Sequence, residues 1–163
     1  VLPLKNVLEH IIGRKYLSQF LETLASQDLI RFWLAVEDLR AAQRKNWHQI
    51  GAEIFYTFIR NATGEIKVDK NTKKRMEGFL LGDRGPEIFY EVQAQVVQTI
   101  EDKYYQSFLM SDHYKEMVRA MEREDKAESD SSQSWEDRQS IDSITSDSGS
   151  NVGDHNIYAK KKL

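Results

Sequence analysis

The side chains able to do chemistry are sparse in this chain of 163 residues, and their spacing is wrong for catalysis. There is no cysteine. That removes thiolate nucleophiles, disulfide frameworks and Cys-ligated zinc together, and it fits a reducing compartment. The four histidines, His10, His48, His113 and His155, have no second histidine three or four residues away. Asp112 beside His113 comes nearest to a metal pair, but consecutive helical residues diverge, so no metal site is expected. Gly82-Asp83-Arg84-Gly85 lacks both the lysine of a phosphate-cradling loop and the third glycine of a dinucleotide fingerprint, so it reads as a turn. No G-x-S-x-G element exposes a serine nucleophile. The acidic pairs Glu37-Asp38 and Glu101-Asp102 read as helix-surface charges. The residues support neither a self-contained enzyme nor a cofactor.

Two charge features remain. Lys67, Lys70, Lys73, Lys74 and Arg75 fall within nine residues, relieved only by Asp69. Such a cluster can meet a phosphoinositide or another anionic surface, giving a weak membrane contact. The favoured reading is a solvated helix start, since Glu65 and Glu77 flank it. The second feature is the distribution of the net charge of −3. Residues 1–124 carry 18 Lys/Arg and 18 Asp/Glu, whereas residues 125–163 carry five bases against eight acids. A balanced body without basic excess argues against nucleic-acid binding. The acidic C-terminal segment is rich in serine. Ser134 has Asp137 three residues on, and Ser140 has Arg138 two residues before, so both are candidate phosphorylation sites. Each phosphate would add about −1.5 to −2 charges. An unmodified flexible spacer is the other reading.

These residues must be positioned by helices. Leu29, Phe32, Trp33, Val36 and Leu39 recur at helical spacing, with Asp28 as an N-cap or first-turn acid. Trp47, Ile50, Ile54, Phe55, Phe58 and Ile59 form a second stripe that Asn46 can cap. Val7, Leu8, Ile11 and Ile12 suggest a short helix ended by Gly13, followed by one carrying Tyr16, Leu17, Phe20, Leu21 and Leu24. After Gly85-Pro86 come Ile88, Phe89, Val92, Val96 and Ile100, then Tyr105, Phe108 and Leu109, and finally Tyr114, Met117, Val118 and Met121. Only Glu65-Ile66-Lys67-Val68-Asp69 alternates with period two, and it is short. The fold class is all-α, a bundle of seven to nine helices over residues 1–124. Residues 125–163 are expected to be a disordered tail or linker, too polar to offset their ordering entropy. The chain shows no signal-peptide pattern at its start, and no apolar run approaches the roughly 18–20 residues of a spanning helix.

The run Leu29-Ile30-Arg31-Phe32-Trp33-Leu34-Ala35-Val36-Glu37-Asp38-Leu39 resembles the "Phe-Trp, then Glu" helix of the regulator of G-protein signalling (RGS) domain. Tyr16-Leu17-Ser18-Gln19-Phe20-Leu21 is similar to the family's preceding helix. Tyr105-Gln106-Ser107-Phe108-Leu109, followed by Ser111-Asp112-His113-Tyr114, is similar to its closing element. The likeness covers residues 5–122. The stretches Gly82–Tyr90 and Lys103-Tyr104-Tyr105 look closest to the RGS domains of sorting nexins, in which a phosphoinositide-binding PX domain follows.

The resemblance implies an RGS-type helical bundle and a Gα subunit as partner. Members that accelerate GTP hydrolysis do no chemistry themselves; they hold the Gα subunit's own glutamine and arginine in the transition-state arrangement. By this resemblance the Gα-facing positions are Asp28, Leu29, Phe79, Leu80, Lys103 and Ser107. The family's asparagine before the Phe-Trp run is Leu29 here, and only Asp28 keeps the acidic neighbour. A second asparagine is aligned with the stretch Gly78-Phe79-Leu80-Leu81, and the family's closing acid and arginine become Lys103 and Ser107. Leucine in place of an orienting amide costs about 1–3 kcal/mol in unpaired polar groups. The resemblance therefore implies a non-catalytic interaction module of a sorting-nexin-like protein in endosomal or membrane trafficking and signalling. Its expected place is the cytoplasm, on the cytosolic face of endosomal or other internal membranes, reached through domains outside this chain. The alternative is a GTPase-activating protein for a heterotrimeric Gα subunit.

Overall fold

A computed structural model describes residues 1–61 and 63–133. Its helices are α1 (Leu4–Glu9), α2 (Ile11–Thr23), α3 (Asp28–Ala41), α4 (Trp47–Ile54), α5 (Lys70–Leu80), α6 (Glu87–Ile100), α7 (Gln106–Leu109) and α8 (Asp112–Gln133). A π turn, Phe55–Ile59, prolongs α4, and another, Glu101–Tyr105, joins α6 to α7. Counted as continuous rods, the described residues form seven helices and no strand. The alternating segment 65–69 forms no strand: Glu65 lies in a bend and residues 66–69 form no regular element. No helix among the described residues is long and apolar enough to cross a membrane.

Residues Val1–Arg119 form one compact unit, and α8 passes from it into a second that begins at Ala120. Within the first unit α3 packs on α4, α4 on α5, α5 on α6, and α6 back on α3, closing a four-helix bundle. Its centre is the expected stripe with Ile30 in the place of Trp33, which is only half-buried: Leu29, Ile30, Phe32, Val36 and Leu39 from α3 face Ile88, Phe89, Val92, Val96 and Ile100 from α6. Gly51 lets α5 lie close, because a Cβ there would sit 2.2 Å from the Phe79 ring. Phe79 in turn meets Phe89 edge-on at 5.2 Å. One polar side chain is built into this interior. Gln93, 4% exposed, accepts from Arg40 Nε and Nη2 at 3.0 and 2.8 Å and donates to the Trp33 carbonyl and Glu37 Oε2 at 3.0 and 2.7 Å. Every polar atom of its amide is thereby satisfied, as burial requires.

A smaller cluster closes the terminal helices. Phe20 meets Phe108 at 5.5 Å and His113 at 5.9 Å, so His113 is packed against an aromatic ring. Among the described residues no group of three or more potential ligands converges on a metal. The Leu2 amide donates to the Tyr114 hydroxyl at 3.0 Å, and the Tyr105 hydroxyl donates to the Leu2 carbonyl. Burial raises the Tyr105 phenol to about 12.

Three local expectations are corrected. Gly13 does not end a helix; it lies inside α2, where a Cβ would meet the Val7 carbonyl oxygen at 2.2 Å. It is there so that α1 and α2 can touch, and His10 provides the break by accepting the Ile12 amide on Nδ1. Asn46 does not cap α4 with its side chain, because it belongs to the 3-10 turn Arg44–Asn46 that leads in. The change of composition at residue 125 does not end α8, which continues to Gln133. Ala120, Met121, Glu122, Arg123, Glu124, Lys126, Ala127 and Glu128 are strong helix formers, so intrinsic propensity carries a helix through a segment too polar for a core. The candidate phosphorylation sites Ser134 and Ser140, and the rest of the expected tail, lie outside the described residues.

Candidate partner-binding site

Three separate segments meet at one end of the four-helix bundle. The first is the α2–α3 turn. Ala25 adopts φ 58°, its amide donates to the Glu22 carbonyl at 3.0 Å, and the next amide, of Ser26, reaches back to the Leu21 carbonyl at 2.9 Å. This pair of bonds closes a helix on a left-handed residue, a place usually given to glycine. The turn buries Ser26 to 3% exposure and starts α3 at Asp28. Asp28 sits in the first turn, where the helix dipole favours an acid, and pairs with Arg31 at 3.4 Å. Gln27 Oε1 is buried beside it without a hydrogen-bond partner.

The second segment is residues 64–69. Ile66 is buried at 6%, while Glu65, Lys67 and Asp69 on either side of it are all exposed. Asp69 then caps α5, accepting the Thr72 amide at 2.7 Å, and this bond holds its carboxyl below the usual range. The third segment is the π turn after α6. The buried stripe steps from Val96 to Ile100 by four residues but from Ile100 to Tyr105 by five. The extra residue of the π turn resets the helical phase, so Tyr105 enters the core while Lys103 stays exposed and Tyr104 points sideways.

Tyr104 ties the three together. Ser26 Oγ donates to the Tyr104 hydroxyl at 2.9 Å, and that hydroxyl makes a longer contact of 3.4 Å to Glu65 Oε1. Asp28, Lys103 and Ser107 therefore lie on or beside one assembled end, all at least partly exposed. Leu29 does not join them on the surface. It is 2% exposed, because it is the first position of the core stripe of α3.

Phe79 and Leu80 are not brought to this end. They close α5, whose first residue follows the Glu65 segment, and so stand roughly 16 Å along the helix axis. Phe79 is a core ring, 5% exposed, and the Leu80 carbonyl contacts His48 Nε2 at 2.6 Å. The loop that does reach this end carries Glu65 and Lys67. Sequence reasoning had singled out Lys67 for its charge alone and missed Tyr104 and Ser26. The basic cluster is also divided: Lys67, Lys70 and Lys74 are exposed and Lys73 is half-buried. Arg75 grips Glu91 with two bonds of 3.0 and 2.7 Å, which raise its own proton affinity and lower that of Glu91.

Comparison with known proteins gives this geometry relatives. The family model for the regulator of G protein signaling domain matches residues 3–117. The chain is 32% identical to sorting nexin-25 of Homo sapiens over 118 residues, which is 72% of this chain and 14% of that protein. It is 32% identical to Regulator of G-protein signaling 10 of Homo sapiens over 123 residues, 75% of this chain and 67% of that protein. Regulator of G-protein signaling loco of Drosophila melanogaster is 30% identical over 121 residues, 73% of this chain and 8% of its own length. The chain thus spans about a seventh of the sorting nexin that it matches.

Proposed function

The chain belongs to the regulator of G protein signaling (RGS) domain family, and from that premise we propose that it is a non-catalytic protein-interaction module. In this reading it serves a sorting-nexin-like protein of membrane trafficking and signalling, on the cytosolic face of internal membranes. The partner surface is the end built by Ser26, Tyr104 and Glu65, with Asp28, Lys103 and Ser107 around it. The observation that carries the reading is the burial of Leu29. At the place where family resemblance expects an amide to orient a catalytic glutamine, this chain turns an aliphatic side chain into its core. Lys103 and Ser107 add to this, because neither reproduces the acid and arginine of the resemblance. An interface lacking these groups can bind, but it has nothing to hold charge that develops in a transition state.

The likeness to Regulator of G-protein signaling 10 supports the second reading, GTPase activation through altered contacts. Single-turnover GTP hydrolysis by a panel of Gα subunits separates the two. The first reading expects no acceleration by this chain. Acceleration that disappears in Asp28→Ala would replace it by the second. Pull-down with Gα loaded with an aluminium fluoride transition-state mimic tests the same point by binding.

A further inference from the structure

One oxygen atom holds the Tyr104 end together, and it is the atom on which a tyrosine kinase acts. The Tyr104 hydroxyl accepts from Ser26 Oγ at 2.9 Å and donates a longer bond, of 3.4 Å, to Glu65 Oε1. It thereby joins the α2–α3 turn, the 64–69 segment and the turn after α6.

Of the two neighbouring tyrosines, only Tyr104 is within reach of a second protein. Tyr105 is 3% exposed, and its hydroxyl is engaged with the Leu2 carbonyl inside the terminal cluster. The π turn leaves Tyr104 partly exposed, and Glu101, Asp102 and Lys103 ahead of it are all exposed. The phenol thus follows a charged strip, on a turn whose hydrogen bonding departs from that of a regular helix.

We propose that Tyr104 is a phosphorylation site for a tyrosine kinase, and that its phosphate opens this end of the bundle. In the transfer the Tyr104 oxygen attacks the γ-phosphorus of ATP. A P–O bond to tyrosine forms as the bond to ADP breaks, and the phenol proton passes to the base of the kinase. The product cannot remake the clasp. The proton that reached Glu65 is gone, and the oxygen that accepted from Ser26 has become a poorly accepting ester oxygen. The phosphate also brings about −1.5 to −2 charges to an atom that stood 3.4 Å from a carboxylate oxygen. Glu101 and Asp102 on the same turn add to the repulsion. Ser26 cannot follow the phosphate, because it is 3% exposed and its amide closes α2. Lys67 and Lys103, both exposed, draw the phosphate outward, away from Ser26. The 64–69 segment is then released from its neighbours. That the release also ends partner binding rests on the reading of this end as the partner surface.

The test is incubation of the full chain with ATP and the catalytic domain of a broad-specificity tyrosine kinase, with modified residues mapped by peptide mass spectrometry. Phosphate is expected on Tyr104 and not on Tyr105, and Tyr104→Phe should lack it. Hydrogen exchange at the Ala25 and Ser26 amides, which are bonded in the α2–α3 turn, then reads the clasp. Exchange there, and tryptic cleavage after Lys67, should each be about tenfold faster or more in the phosphorylated chain, the effect of losing one charge-assisted hydrogen bond. In Glu65→Gln the phosphate should speed both less, because the repulsion is gone while the acceptor tyrosine is kept. A cooperative melt of each unmodified variant establishes that it is folded. The proposal falls if Tyr104 stays bare while Tyr56, 53% exposed, is modified. It falls equally if Tyr105 is modified as fast as Tyr104, which would mean that the kinase acts on the unfolded chain, or if the phosphorylated chain exchanges like the unmodified one. A chain that opens on phosphorylation yet retains a Gα subunit as well as before would uphold the site and overturn the partner-surface reading instead.

Discussion

Leu29→Asn restores the residue type that the family resemblance expects, and the structure gives it a cost. Leu29 is 2% exposed and opens the stripe that packs α3 on α6. Truncating such a side chain, as in Leu29→Ala, costs about 2–5 kcal/mol through lost burial and the cavity left behind. Asparagine fills part of that cavity but brings an amide whose donors and acceptor have no partner there, adding about 1–3 kcal/mol. Against a domain stability of about 5–15 kcal/mol, the variant should be strongly destabilised. Urea denaturation followed by tryptophan fluorescence measures it: Leu29→Asn should have a lower midpoint than Leu29→Ala with a similar slope. The variant should also fail to accelerate Gα GTP hydrolysis, because its amide is not presented at the surface. A Leu29→Asn protein within about 1 kcal/mol of the native chain would refute the reasoning. Position 29 would then face solvent, and the argument from its burial would be lost.

Gly13→Ala should destabilise in spite of alanine's helix propensity. The propensity gain is about 1 kcal/mol, but a Cβ at 2.2 Å from the Val7 carbonyl oxygen must push α1 off α2, at about 1–3 kcal/mol or more; denaturant melts give the sign. Ala25→Gly should raise stability by about 1 kcal/mol, since the φ of 58° strains any residue with a Cβ, and equal or lower stability would show that the turn is not strained. Tyr105 sets an alkaline limit. Its folded value of about 12 lies above that of an unfolded phenol near 10, so its contribution is whole below about pH 10 and is lost as pH rises through 12. That loss amounts to about 2–3 kcal/mol, and Tyr105→Phe should flatten the fall in unfolding free energy across that window.

Local periodicity was enough to read most of the helices, because a stripe such as Ile88, Phe89, Val92, Val96, Ile100 depends only on near neighbours; it passed over the short buried face of α5, which rests on Met76 and Phe79 alone. It was not enough to say which helix ends meet. The Ser26–Tyr104 bond joins residues 78 apart in sequence, and Tyr104–Glu65 joins residues 39 apart, so no local pattern announces either. Family resemblance grouped Phe79 and Leu80 with Asp28 and Lys103, and only the direction of α5 shows that they lie at the other end of the bundle. Arg75 looked like a member of a basic patch until Glu91, 16 residues on, was seen to hold it. Gly13 shows the same limit at short range: a glycine between two apolar pairs reads as a stop, whereas the reason for it is an oxygen on the neighbouring helix.

Binding and activation make different demands on the Tyr104 end. Activation requires the surface to hold the transition-state form of its partner more tightly than the ground-state form, and tenfold in rate corresponds to about 1.4 kcal/mol of that difference. Groups able to supply the difference are charged or amide side chains aimed at the catalytic residues of the partner. By the family resemblance Asp28 is the one such group kept, and the other positions hold a buried leucine, a lysine and a serine. The clasp through Ser26, Tyr104 and Glu65, by contrast, fixes the three segments without those groups. If a Gα subunit is the partner, its affinity for this chain should therefore be nearly the same with a GTP analogue bound as with aluminium fluoride. Titration of the two forms would show a ratio near one, and a ratio of ten or more in favour of the fluoride form would mean that some other residue has taken over the work of the missing amide.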